Sequence, residues 1–321
     1  AGTGGGFVSG ASTANSTCLA VARDRVLSRV GWNAVADGLV GAPPVQVVVG
    51  QEVHPTVLKG LGLIGLGRDR VLRLPVDEQG RIIPRDLPRL DRPAIVVLQA
   101  GNVNSGASDP FDPLIDWARD NDAWVHVDGA FGLWAAAAPE RAEQVRGVED
   151  ADSWATDAHK WLNTTYDSGI ALVRDAEALR ASMAMTAAYL VPTELREPGD
   201  YTPAMSQRAR GVEAWSVLAS LGRTGLADLV EHCCRLATRF ADGLRAAGFQ
   251  ILNEVVLNQV VVTVDDGSIG EIIDRVQRDG TCWAGPTNWR GQAAMRISVS
   301  NWSTTEADVD KSVAAIVAAR L

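Results

Sequence analysis

The sequence is poor in cysteine, and its four cysteines follow no functional spacing: Cys233 and Cys234 are adjacent, and Cys18 and Cys282 lie far from them. No metal spacing and no disulfide framework can be built from such a set, so reduced thiols in a cytosol are expected. No apolar run approaches membrane-spanning length, and no basic-then-apolar signal segment opens the chain. Positive charge is also short, with 30 Lys and Arg against 39 Asp and Glu for a net charge of −9. The basic residues are scattered without aromatic interleaving, which argues against a nucleic-acid partner. A dinucleotide fingerprint is missing too. The run Gly2–Gly6 stands outside any complete βαβ unit, and Gly60–Gly67 ends a helix instead of following a strand. The latter reads as packing glycines and a helix cap, which leaves a nicotinamide oxidoreductase as a distant reading.

What is present is ordinary for a globular protein: 46% hydrophobic and 21% charged residues over 321 positions, enough for a large domain and a smaller one. Strand-like apolar runs fall at 45–49, 71–74, 94–99, 124–127, 151–156 and 169–173, with helical stretches between most of them. That alternation predicts an α/β fold with a mostly parallel central sheet covered on both faces by flanking helices. A helix follows Gly10, with Cys18, Leu19, Val21, Ala22 and Val26 at helical spacing and Ser12 or Thr13 as its N-cap. Its N-terminus is a place to hold a phosphate by backbone N–H groups and a hydroxyl. A short helix is predicted from about Pro84, and others at 109–120 and 177–185. A polar loop at 186–203 carries Tyr189, and a loop that long is often a lid or disordered. Helices at 212–221, 226–247, 269–278 and 306–320, with strands at 255–264 and 294–299, make a small α+β C-terminal domain. The division predicted is 1–210 and 211–321.

The chemistry centres on Asp152-Ser-Trp-Ala-Thr-Asp-Ala-His-Lys-Trp161. An apolar run delivers His159 and Lys160 onto a polar turn, and Asn163, Thr164 and Thr165 lead into the next run. A lysine held where two buried strands meet loses hydration, which favours the neutral amine that Schiff-base chemistry with a carbonyl requires. A surface lysine after a strand is the ordinary alternative. Upstream, Ala123-Trp-Val-His-Val-Asp128-Gly-Ala-Phe-Gly132 sets a carboxylate at a strand's C-terminal end, followed by small residues. Ligands of open α/β sheets sit off those ends. A carboxylate there can pair with the ring nitrogen of pyridoxal phosphate and keep the ring an electron sink.

These two stretches resemble the fold-type I, pyridoxal-phosphate-dependent group II decarboxylases, the family of glutamate and aromatic amino acid decarboxylases. The resemblance runs from Gly4 to Leu321 and is most specific at His126-Val-Asp128 with Gly129-Ala130, and at Asp157-Ala-His-Lys160-Trp. It implies pyridoxal 5′-phosphate bound through Ala11, Ser12, His54, Asn104, Asp128, Ala130, Asp157, His159 and Lys160. Ala11 and Ser12 match the family's phosphate-binding pair, and His54 matches a histidine that stacks on the cofactor ring. Asn104 stands in for a threonine near the phenolic oxygen, since Val103 occupies the aligned position. Lys160 carries the cofactor, His159 lies near phosphate or carboxylate, and Tyr189 is the mobile-loop proton donor. No metal is implied.

Met295-Arg296-Ile-Ser-Val with Thr304-Thr305 resembles the family's C-terminal signature. Arg296 there meets a substrate carboxylate or forms a structural ion pair. Trp283, Trp289 and Trp302 read as core or interface. The family's N-terminal segment, which wraps the partner subunit, is expected to be absent from this chain. The activity implied is decarboxylation of an L-amino acid to the amine and CO₂ by a cytoplasmic homodimer. The alternatives are an aldehyde-forming oxidative decarboxylase or carbon–carbon lyase on the same fold, and a catalytically silent subunit or fragment.

Overall fold

The computed structural model describes residues 2–185 and 195–320. In chain order the elements are β1 (Gly4–Val8), α1 (Ala11–Arg29), α2 (Ala34–Asp37), β2 (Gln46–Gly50), α3 (Pro55–Leu63), β3 (Val71–Leu74), β4 (Ala94–Gln99), α4 (Phe111–Asp120), β5 (Trp124–Asp128), β6 (Ser153–Asp157), β7 (Gly169–Val173) and α5 (Ala176–Met183). There follow α6 (Arg210–Ala246), β8 (Gln250–Ile251), β9 (Gln259–Thr263), α7 (Ile269–Asp279), β10 (Gly285–Trp289), β11 (Gln292–Ser298) and α8 (Glu306–Ala318). A seven-stranded sheet has the order β1-β7-β6-β5-β4-β2-β3, and a four-stranded sheet the order β10-β11-β9-β8. In the large sheet β3, β2, β4, β5 and β6 pair in parallel, while β7 runs antiparallel between β6 and β1. This is the α/β architecture expected, with a mostly parallel sheet.

Strand β4 shows why the sheet needs helices on both sides. Ala94, Val96 and Leu98 pack into one apolar cluster with α4, and Ile95 and Val97 into another with α1 and α3. A side chain such as Ile95, fully buried, contributes roughly 1.5–3 kcal/mol relative to exposure. The α4-side cluster continues through α6 into Val260, Val262 and Met295 of the small sheet. One body of apolar contact therefore joins the two sheets.

Several local expectations fail for identifiable reasons. The glycine run at the start was not read as a strand, yet Gly4–Val8 is strand β1, whose glycines let neighbours approach. A Cβ on Gly4 would lie 2.8 Å from Ala176 Cα, and one on Gly6 2.5 Å from the Tyr201 carbonyl. Helix α1 is capped by Gly10 without a side-chain bond, so neither Ser12 nor Thr13 is its N-cap. No helix forms near Pro84. The connection after β3 is instead satisfied by side chains, with Asp109 accepting from Ile82 N–H and Asn121 from Leu90 N–H. Residues 255–258 lie outside strand, leaving β9 at Gln259–Thr263, and β10 was not expected. The two helices predicted at 212–221 and 226–247 are present, separated by a kink at Gly222 (φ 62°, ψ −170°), a conformation open to glycine. Trp289 is core beside Val261 and Ala294, whereas Trp283 and Trp302 are exposed.

Gly169 begins β7 against the turn before α1, and a Cβ there would sit 2.5 Å from Gly10 Cα. Gly169→Ala should lower unfolding stability by about 1–3 kcal/mol through overpacking. Gly62→Ala, in α3 with open space around its Cβ position, should be neutral or stabilising by up to about 1 kcal/mol. Urea unfolding of both variants checks the contrast, and equal effects would contradict it.

Candidate active site

A cavity of about 500 Å³ opens off the carboxyl ends of β4, β5 and β6, beside the N-terminus of α1. Adjacent parallel strands β5 and β6 each end in an aspartate, Asp128 and Asp157, and both line it. The hairpin from β6 to β7 carries Lys160. Its turn is fixed at both edges, since Ala158 and His159 N–H groups donate to the Ser168 carbonyl at 3.0 and 3.2 Å. Ala158, Trp161 and Leu162 are buried on either side of the lysine. Asn163, in left-handed conformation (φ 53°), donates through Nδ2 to the carbonyls of Trp161 and Ser300, each at 2.8 Å. Lys160 is thus a lysine on a rigid turn.

Asp157 joins this turn to α1. Its Oδ1 accepts the Ala11 N–H at 2.5 Å, and its Oδ2 lies 3.0 Å from Lys160 Nζ. The same Oδ1 is 3.5 Å from His159 Nε2, and the carboxylate is almost fully buried. The lysine was expected to sit dry, but its side chain is 39% exposed and ion-paired. Its amine is accessible from the cavity and held by a carboxylate.

Asp128 differs in kind. Its Oδ1 is buried and lacks a hydrogen-bond partner among the described residues. Burial raises its pKa, against the opposing pull of His54 and Lys160. His54 is held below its ordinary value chiefly by burial, with Asp128 acting against that shift. It caps α3, its Nδ1 accepting from Thr56 N–H at 3.3 Å, and also lines the cavity. Burial likewise lowers His159, whose Nδ1 accepts the Ser168 N–H at 3.0 Å and so leaves the proton to Nε2.

The fold brings Ala11, Ser12, His54, Asp128, Ala130, Asp157, His159 and Lys160 together in the lining of one cavity. Ala11 differs in one respect, because its N–H is taken by Asp157. The hydroxyls of Ser12, Ser9 and Thr13 supply the polar groups at that helix end. Asn104 is not in the lining. Its Oδ1 accepts from Thr287 of β10 at 2.8 Å, and Val103 faces the cavity instead. Tyr189 lies outside the described residues.

Sequence reading passed over Gln99, Phe131 and Tyr166, which also line the cavity. Tyr166 stacks on His159, with ring centroids 4.0 Å apart and planes 24° apart. The neighbouring Asp167 is gripped by Arg210 at 3.0 Å. No spacing rule links 166 to 159; the hairpin does.

A family model described as the pyridoxal-dependent decarboxylase conserved domain matches residues 1–264. The chain is similar to an aromatic-L-amino-acid decarboxylase of Bacillus atrophaeus, 30% identical over 72% of this chain and 48% of the relative. It is 31% identical to a 4-hydroxyphenylacetaldehyde synthase of Rhodiola rosea, over 76% of this chain and 51% of that protein. The chain spans about half the length of the curated relatives it matches. Among solved structures, apo mouse CSAD superposes with a TM-score of 0.88 at 23% identity, covering 98% of this chain and 71% of that one. Oryza sativa TDC with PLP and tryptamine gives 0.87 at 24%, covering 99% and 70%. These structural likenesses speak to the fold.

Burial disfavours imidazolium, so His54 and His159 should titrate below 6.5, and His126, at about 3, should stay neutral at any pH the fold survives. With four histidines in the chain, nitrogen-15 NMR can follow each ring. A midpoint above 6.5 for His159, or a proton on its Nδ1, would contradict the geometry.

Proposed function

The chain belongs to the pyridoxal-dependent decarboxylase family, and we propose that it binds pyridoxal 5′-phosphate and decarboxylates an aromatic L-amino acid to its amine and CO₂. The observation that carries this reading is one cavity holding a carboxylate-paired lysine amine beside a second, buried carboxylate with an open acceptor oxygen. The residues fit the cofactor. A protonated ring nitrogen would satisfy Asp128 Oδ1, and the α1 N-terminus with Ser9, Ser12 and Thr13 suits a phosphate. Lys160 supplies the amine for the carbonyl, and His54 offers a flat ring within the same cavity. When bound, the cofactor supplies the electron sink for the pair left as CO₂ departs.

The chain's own groups do the remainder. Asp157 steadies Lys160 Nζ against α1, and Asp128 holds a proton at the ring nitrogen through a charge-assisted bond. Arg296 has no carboxylate partner among the described residues, and its Nη1 lies 3.5 Å from the carbonyl of cavity-lining Val103. That supports the reading of Arg296 as the cation for a substrate carboxylate over the structural ion pair. Phe131, Val103 and Tyr166 give the cavity apolar and aromatic walls. The names of the relatives, aromatic-L-amino-acid, tyrosine/DOPA and tryptophan decarboxylases, support an aromatic substrate.

A second reading, decarboxylation to an aldehyde, has support in the similarity to an aldehyde synthase. Two copies of the chain are proposed to associate, since Val212, Trp215 and Leu218 leave an apolar stripe exposed on the first half of α6. Among the described residues no helix is long and apolar enough to cross a membrane. The cysteines are all free, which supports the reducing cytoplasm as its compartment.

Borohydride reduction after loading with pyridoxal 5′-phosphate should place the pyridoxyl label on Lys160 in a peptide map. A label on another residue refutes the assignment. Labelled protein that releases no CO₂ from any aromatic amino acid supports the silent-subunit alternative.

Tyr189 tests the fate of the reaction. A phenol on a closing loop can return a proton to the α-carbon and exclude oxygen, and phenylalanine keeps the bulk while removing the donor. Tyr189→Phe should preserve CO₂ loss and raise the ratio of aldehyde to amine. An unchanged ratio at an unchanged rate would make Tyr189 a bystander.

A further inference from the structure

Strand β5 presents Trp124, His126 and Asp128 on one face, two residues apart, toward α1. Two side chains from other elements join them into a line. Ser153 of β6, register partner of His126, accepts from Trp124 Nε1 and contacts His126 Nδ1, both at 2.9 Å. Asn15 of α1 meets His126 Nε2 through Oδ1 at 2.9 Å. Each of these groups is buried.

The direction of the line follows from its ends. An indole N–H only donates, so Ser153 accepts it and has its own proton for His126 Nδ1. His126, held neutral by burial, then donates from Nε2 to Asn15 Oδ1. The Asn15 amide N–H groups are left on the Asp128 side, where they favour the charged carboxylate. Yet Asn15 Nδ2 and Asp128 Oδ1 both lack a hydrogen-bond partner among the described residues. A purely structural polar chain closes on itself, because a buried polar group left open costs roughly 1–3 kcal/mol. This one stops at the carboxylate that lines the cavity.

We infer that Asn15, His126 and Ser153 are positioning residues: their one-directional hydrogen-bond chain turns the Asn15 amide toward Asp128 and orients that carboxylate for a ring N–H. This rests on the cofactor reading above. Asp128 meets the ligand, and the three residues act through it. Reversing any link would turn the Asn15 carbonyl oxygen toward the carboxylate, so the whole line shares one polarity.

The test compares the affinity of the cofactor-free protein for pyridoxal 5′-phosphate and for its 1-deaza analogue, whose ring carries C–H in place of nitrogen. Equilibrium dialysis gives both constants without turnover. Wild type should prefer the natural compound by roughly 10- to 100-fold, the value of a hydrogen bond to a charged group. Asn15→Leu and the milder Ser153→Ala should each shrink that ratio by roughly fivefold or more, with thermal melts confirming that the proteins fold. A ratio unchanged in the folded variants, whatever the absolute affinities do, would reduce the line to packing and overturn the inference. A wild type that binds both compounds without preference overturns it as well, through Asp128. A wild type that binds neither sinks the cofactor reading itself, so the two failures are distinguishable.

Discussion

The Asp157 carboxylate is the tie on which the site depends. One oxygen closes the first N–H of α1 and the other holds the Lys160 amine, so a helix start and a hairpin turn far apart in sequence share one buried anion. A carboxylate at a helix N-terminus is favoured by the helix dipole, and a cation beside it offsets the cost of its burial. Both compensations are present at Asp157. Without it, the lysine turn and the expected phosphate end of the cavity would have no direct polar link.

The two aspartates at the ends of β5 and β6 divide the electrostatic labour. Asp157 is satisfied inside the protein, whereas Asp128 keeps an acceptor open and is surrounded by groups that only partly favour its charge. Parallel pairing sets Asp128 beside Ala155, two residues before Asp157, and the neighbours of the two aspartates differ: α1's first N–H for Asp157, and the interior of α1 for Asp128. The same strand end thus yields an internal clasp in one case and a ligand-facing carboxylate in the next.

Much of this was legible in the sequence because it is local. The strand runs, the His-Lys turn, the aspartate ending a buried strand and the break between two C-terminal helices all announce themselves within a few residues. What was not legible depends on register and on tertiary neighbours. Asn104 was assigned to the cavity by resemblance, in place of a threonine, yet Thr287, from a strand that carries Pro286 and was not expected, claims its side chain. The helix near Pro84 failed because Asp109 and Asn121 satisfy that backbone in extended form. His126 was visible only as part of a motif. Its contact with Ser153 follows from strand pairing, and its contact with Asn15 from the packing of α1 on the sheet.

Asn163 gives the lysine turn an attachment beyond its own hairpin. Its amide donates to Ser300 and its carbonyl accepts from Trp302 N–H, in the segment between β11 and α8. Arg296 lies on β11, shortly before that segment. The cation proposed for substrate and the amine proposed for the cofactor are therefore linked through a short stretch of backbone and one side chain. Mechanically, the turn behaves as a splice between two sheets rather than as a free tip. A displacement of the small sheet's last strand would be carried into the lysine's footing, while the flexible lysine stem absorbs motions that the turn itself resists.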